Sequence, residues 1–182
     1  SSDEAGGKSR GIAHYLEHLV LVGRNANHAD AAVRFFADGS SNGWTNDRAT
    51  VYLHNLPARA EGPAADLEKL FGFYAARLGD FAITEADAAR ERNVVLQEHD
   101  LRIQSNPSSL FWRDLNARAL PDHPAGSWTI GTRDTIGAIT LEDARAFHKA
   151  WYAPNNVWFV VRGNITVDAL RTLSDTALAG LA

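Results

Sequence analysis

The chain has 182 residues, 45% of them hydrophobic and 22% charged, with a formal net charge of −4. That balance describes a globular chain; it argues against a basic nucleic-acid-binding module, and no apolar run approaches the ~20 residues of a membrane span. Zero cysteines exclude disulfides and thiolate-held zinc, so a metal here has only imidazole and carboxylate to sit on.

Methionine is also absent, even at position 1, and the chain opens on SSDEAGGKSRG. This reads as a segment whose natural N-terminus, with any targeting signal, lies upstream. GGKS at 6–9 resembles the end of a phosphate loop, but Ser2 stands where the first glycine is required and no strand precedes it. The first predicted helix lies in GIAHYLEHLVLVG, residues 11–23. His14 and His18, four apart, stack on one face with Glu17 beside them, while Ile12, Leu16, Leu19 and Val20 fall elsewhere. Burying three polar groups without partners would cost roughly 1–3 kcal/mol each, so something must pair with them. Half-buried core histidines are the ordinary alternative, yet H-x-x-E-H arises by chance only roughly 0.01 times in such a chain. The chemistry explains the spacing: imidazoles one turn apart can both reach one Zn²⁺, and the intervening glutamate can hold a water beside it. This is the inverzincin pattern.

RNANH then breaks the helix, and ADAAVRFFADG reads as a short helix capped by Gly39. Asn46-Asp47 signals a turn, and ATVYLHNL, ending before Pro57, is rich in strand formers. Gly39-Ser40-Ser41-Asn42-Gly43 matches the G-x-S-x-G elbow of serine hydrolases, but the elbow needs strand before helix and here helix precedes strand. In PAADLEKLFGFYAARLGDF, the apolar positions Leu67, Leu70, Phe71, Tyr74 and Leu78 keep helical spacing. Thr84 and Asp87 resemble a capping box for a long helix running through EADAARERNVVLQEHDLRIQ. SNP ends it, and SSLFWRDLNARAL is a further helix. PDHPAGSWTIGTRDTIGAI reads as one long loop, and Thr140 with Asp143 caps the helix EDARAFHKAWY. VWFVV reads as a buried strand, and Thr166 starts a last helix. Asn164-Ile165-Thr166 is a glycosylation sequon, but a helix cap is the simpler use of Thr166. His28, His54, His99, His123 and His148 show no ligand spacing and read as structural or surface residues. Helices around few strands make the class α+β, and two strands alone are a marginal sheet, so further strands are expected upstream.

A catalytic zinc usually takes three protein ligands and leaves a fourth position for water. The long helix offers Glu91 and Glu98, two turns apart on one face with Val94 and Val95 between them. A pair of solvated surface glutamates is the alternative on this helix alone.

Five blocks in order carry a family resemblance: an acidic SDE ahead of GIAHYLEH, SNGWT followed by ATVY, RERNVVLQE, HPAGSWTIGTRDTI, and YAPNNVWFVVRGNIT. Together they resemble the pitrilysin/insulinase zinc metallopeptidases through nearly the whole chain. The resemblance implies a mixed or antiparallel sheet packed with helices, the family's half-domain with its first strands absent at the N-terminus. Residues 1–165 would form the peptidase domain and 166–182 a helix leading on from it. It implies a zinc-dependent endopeptidase with Zn²⁺ on His14, His18 and Glu98, the last closing VVLQE 80 residues after His18. It implies Glu17 as general base, Glu91 as a catalytic support, and Asn42, Gly43 and Thr45 as the strand edge that holds a short or unfolded peptide. Leu19 stands where the family commonly has Met, and Gly43 where it usually has Ala. A second homologous half, on the same full-length chain or on a partner subunit, is expected to close over the peptide. The rival is a non-catalytic peptide-binding or scaffold subunit, against which the intact ligand set and base count. No compartment is assigned; a bacterial envelope or periplasm and an organelle matrix would both suit.

Overall fold

The computed structural model describes residues 10–22, 40–79, 81–121, 123 and 126–181. Helix α1 (Ile12–Val22) leads to an antiparallel hairpin of β1 (Ser40–Thr45) and β2 (Thr50–Asn55). Then come α2 (Ala64–Leu78), α3 (Glu85–His99), a π-helical turn over Asp100–Gln104, and α4 (Pro107–Ala119). Helices α5 (Arg133–Ala138) and α6 (Leu141–Trp151), a 3-10 turn over Pro154–Asn156 and helix α7 (Val167–Leu178) complete the described elements. The class is α+β. No described helix is long and apolar enough to cross a membrane. The short helix expected in ADAAVRFFADG, together with GGKS and His28, lies outside the described residues.

The chain divides into two compact units. The first takes the described residues of 1–23, 43–52 and 83–148. Here α1 is buried nearly all round: from Gly11 to Val20 only His18 is half-buried rather than buried. A helix with no solvated face must supply partners for its own polar groups, which is why His14 and Glu17 are informative. Helix α3 lies against α1, and the Tyr15 hydroxyl donates to the Ala88 carbonyl at 2.6 Å. The Thr84 side chain accepts from the Asp87 N–H, starting α3 where the sequence places its cap. Ala88, Glu91, Val95 and His99 form the buried stripe of α3, whereas Val94 is 41% exposed. Only one of the two valines between Glu91 and Glu98 therefore shares their stripe. The π-helical turn interrupts what reads in sequence as one helix through Gln104.

Asn106 caps α4 with its side chain, Pro107 occupies the first helical position, and none of the helix is buried. Helix α5 corrects the expected long loop. Thr132 and Thr135 cap it reciprocally, with Thr135 in place of the usual Glu or Gln, so the sequence pattern conceals it. Thr140 and Asp143 cap α6 as expected. Its buried residues Leu141, Ala144 and His148 keep helical spacing.

The second unit takes the described residues of 24–42, 53–82 and 149–182. In it α2 packs on α7, and Phe159 meets Phe71 and Tyr74 edge-on at 5.2 and 6.0 Å between ring centroids. The buried strand expected at VWFVV is corrected. Residues 157–161 belong to no described strand, and Trp158 and Val160 are each 92% exposed. Strand propensity does not make a strand without a neighbour to pair with, and no described strand pairs with this run.

The hairpin turns at Asn46, whose side-chain oxygen accepts from the Arg48 and Ala49 N–H groups. Burial alternates along β1, with Ser41, Gly43 and Thr45 on the more covered face and Ser40, Asn42 and Trp44 exposed.

Candidate metal centre

One turn of α1 places His14 and His18 with their rings edge-to-face, centroids 4.9 Å apart. Helix α3 brings Glu98 to both. Its Oε2 lies 3.1 Å from His18 Nε2 and 3.6 Å from His14 Nε2. The three residues offer donor atoms that all lie within 4.8 Å of one another. Among the described residues they form the one group of this kind. Donors held about 2.0–2.1 Å from a tetrahedral ion stand roughly 3.3–3.4 Å from each other, so these separations fit one small cation. The other oxygen of Glu98 is held by Arg102, one turn further on, at 2.9 Å.

Glu91 lies in the buried stripe of α3, 3% exposed, with an oxygen 3.8 Å from His18 Nδ1 and its other oxygen 3.1 Å from Arg90 Nε. The two glutamates thus divide the imidazole of His18 between them, Glu98 at Nε2 and Glu91 at Nδ1. The buried Nδ1 of His14 makes no hydrogen bond among the described residues.

The electrostatics separate the two histidines. Burial lowers His14 to about 4, against the pull of Glu98, so it is a neutral imidazole at neutral pH. Burial also works to lower His18, but the carboxylates of Glu91 and Glu98 on its two nitrogens overcome that and raise it to about 9. The hydrogen bond from His18 in turn holds Glu98 below the usual carboxylate range.

Glu17 points from α1 to β1. Its Oε2 accepts from the Thr45 hydroxyl at 2.5 Å, and burial raises its carboxyl above the usual range while that hydrogen bond opposes the rise. Gly43 stands beside the same carboxylate, and Asn42 faces the other side of the strand. The structure thus brings together His14, His18, Glu98, Glu91, Glu17, Gly43 and Thr45, and leaves Asn42 on the outer face of β1.

The sequence reading missed three relationships. Arg102 on Glu98 was open to it, because the spacing is one helical turn. The contact of Thr45 with Glu17 was not, because the two are 28 residues apart. Nor was the chain of hydrogen bonds in which His54 joins Ser41, at 2.7 Å, to the Tyr74 hydroxyl. Of the other histidines, His99 and His148 are buried and His123 is exposed.

Residues 2–133 match the family described as Insulinase (Peptidase family M16), and residues 138–182 match the family described as Peptidase M16 inactive domain. The chain is 33% identical over 178 residues to the zinc protease PqqE of Helicobacter pylori, covering 96% of this chain and 38% of that protein. It is 26% identical over 174 residues to the probable mitochondrial-processing peptidase subunit beta of Schizosaccharomyces pombe, covering 92% of this chain and 36% of that one. The crystal structure of a protease from Helicobacter pylori superposes with a TM-score of 0.87 at 26% identity, over 100% of this chain and 42% of that chain. The first half of the periplasmic protease PqqL from Escherichia coli shares the fold, with a TM-score of 0.78 at 21% identity over 100% of this chain and 39% of that one. The chain thus spans about two fifths of the length of these relatives.

Proposed function

The chain belongs to the insulinase family, peptidase family M16, and from that premise we propose that it is the metal-holding half of a zinc-dependent endopeptidase acting on short or unfolded polypeptides. The observation that carries the reading is the meeting of His14, His18 and Glu98 at separations that suit one tetrahedral cation, with Glu17 one residue before His18. The relatives' names as zinc proteases make Zn²⁺ the metal of choice.

In this proposal His14 and His18 each give a ring nitrogen and Glu98 one oxygen. When bound, zinc supplies a Lewis acid that acidifies water and polarises the scissile carbonyl. Glu17 takes a proton from the attacking water and passes it to the leaving amine nitrogen; a buried carboxyl raised above its usual range suits both duties. Glu91 stands 3.8 Å from Nδ1 of His18, and its charge favours the tautomer that carries the proton there and turns Nε2 toward the site. Arg102 keeps the second oxygen of Glu98 occupied. The peptide adds as a strand along the edge of β1 between Asn42 and Thr45, held mainly through its backbone.

A second homologous half closing over the peptide is part of the proposal, supported by the greater length of the relatives. So is the division of this segment into a peptidase domain over 1–165 and a following helix over 166–182. The test is zinc content and peptide hydrolysis by the full-length protein beside its Glu17→Gln variant. One zinc at this site in both proteins, with turnover in the parent alone, is the expected result. A zinc-loaded protein in which Glu17→Gln cleaves as fast as the parent would refute the assignment. A metal-free, well-folded parent would favour the scaffold reading.

A further inference from the structure

We propose that the inward face of β1 positions the general base: Thr45 holds one oxygen of the Glu17 carboxylate, and the missing side chain of Gly43 leaves the space taken by the other. The role given to Glu17 rests on the proposed peptidase reading; the contact itself rests on geometry alone.

A glutamate on a helix has three rotatable side-chain bonds, and α1 by itself fixes none of them firmly. Two features of β1 do. The Thr45 hydroxyl donates to Glu17 Oε2 at 2.5 Å. Thr45 Oγ1 also lies 3.3 Å from Thr50 Oγ1 on β2. Having given its proton to a carboxylate, Thr45 can only accept from Thr50, so the two hydroxyls run in one direction toward Glu17. On the other side, a Cβ built on Gly43 would stand 2.6 Å from Glu17 Oε1, 3.1 Å from its Cγ and 3.2 Å from its Cδ. The carboxylate therefore rests directly against the Gly43 backbone, and an alanine methyl there would require its far end to shift.

The consequence is one of register. A base must stand within hydrogen-bond reach of the proton that it takes, and a displacement of about 1 Å can cost roughly 100-fold in rate. If the peptide lies along β1, the same strand that carries it also fixes the base, through side chains that alternate to the opposite face from Asn42 and Trp44. Thr45 is a positioning residue acting through Glu17, and Gly43 leaves that carboxylate room; neither is a side-chain contact to the peptide.

The experiment has two arms, both in the full-length protein. In the first, Thr45→Val and Thr45→Ser are assayed for peptide cleavage and zinc content. Thr45→Val should lower kcat about 10- to 100-fold with KM and zinc content unchanged, and Thr45→Ser, which keeps the donor, should recover most of the loss. Turnover by Thr45→Val within about twofold of the parent, or a Thr45→Ser as impaired as Thr45→Val, would overturn the positioning role. In the second arm, melting temperatures of the metal-free protein are compared for Gly43→Ala, Glu17→Ala and the double variant. Glu17→Ala removes the group that the new methyl strikes, so Gly43→Ala should cost less in that background; additive shifts would overturn the contact. A parent without peptidase activity would defeat the proposed function, and the second arm would still decide the contact.

Discussion

One carboxylate oxygen of Glu91 lies 3.8 Å from Nδ1 of His18, on the opposite side of the ring from the Glu98 oxygen at Nε2. A carboxylate beside Nδ1 favours the proton on that nitrogen and so leaves the Nε2 lone pair for whatever occupies the other side. The two glutamates of α3 therefore stand in different relations to the cluster, although the sequence places them as equivalents on one stripe.

Exchanging each for its amide separates the roles. Glu98→Gln removes the charged oxygen that meets both histidines and should largely empty the site of zinc. Glu91→Gln should keep zinc at saturating concentration while affinity or activity falls about 10- to 100-fold. Zinc content and peptidase rate, measured on both full-length variants, check this; metal loss from Glu91→Gln with retention by Glu98→Gln would reverse the assignment.

Residues 1–182 on their own should turn over peptide far more slowly than the full-length protein. Loss of a single transition-state donor already costs about 10²–10³ in rate, and the proposed second half would bring several contacts. Equal rates for the isolated segment and the whole protein would remove the need for that half.

Acid should loosen the clasp made by Ser41, His54 and Tyr74. Burial lowers His54 from 6.5 to about 4, so the folded form resists a proton that the unfolded chain accepts near its ordinary value. No cost arises above about pH 6.5; stability is lost progressively as pH falls from there toward 4, because only the unfolded state gains the proton. Thermal melting followed over that interval should decline more steeply for the parent than for His54→Gln. Parallel curves would mean that another group carries the acid dependence.

Gly11, at the entry to α1, should tolerate no side chain. Its φ is +98°, and a Cβ there would stand 2.5 Å from the Ile130 carbonyl oxygen. Both the left-handed conformation and the backbone contact penalise Gly11→Ala, by about 2 kcal/mol or more together. Chemical denaturation measures it; an unchanged midpoint would mean that the entry to α1 packs differently.

What the sequence by itself determined is local. The spacing of His14, Glu17 and His18, the caps at Thr84, Thr140 and Thr166, and the turn at Asn46 each involve groups within about one helical turn, where periodicity and side-chain reach decide the outcome. Resemblance to a family then singled out Glu98, which periodicity alone could not distinguish from Glu91. The tertiary structure decided what depends on distant partners. The packing of α3 on α1 places Glu98 at His14 and His18 and leaves Glu91 behind the ring. The alternation of β1 turns Gly43 and Thr45 onto Glu17 and Asn42 away from it. A residue's own helix or strand sets the direction in which its side chain leaves the backbone; what stands there to meet it is settled by packing between elements far apart in the chain. For the same reason VWFVV, with every local mark of a strand, has none to pair with among the described residues.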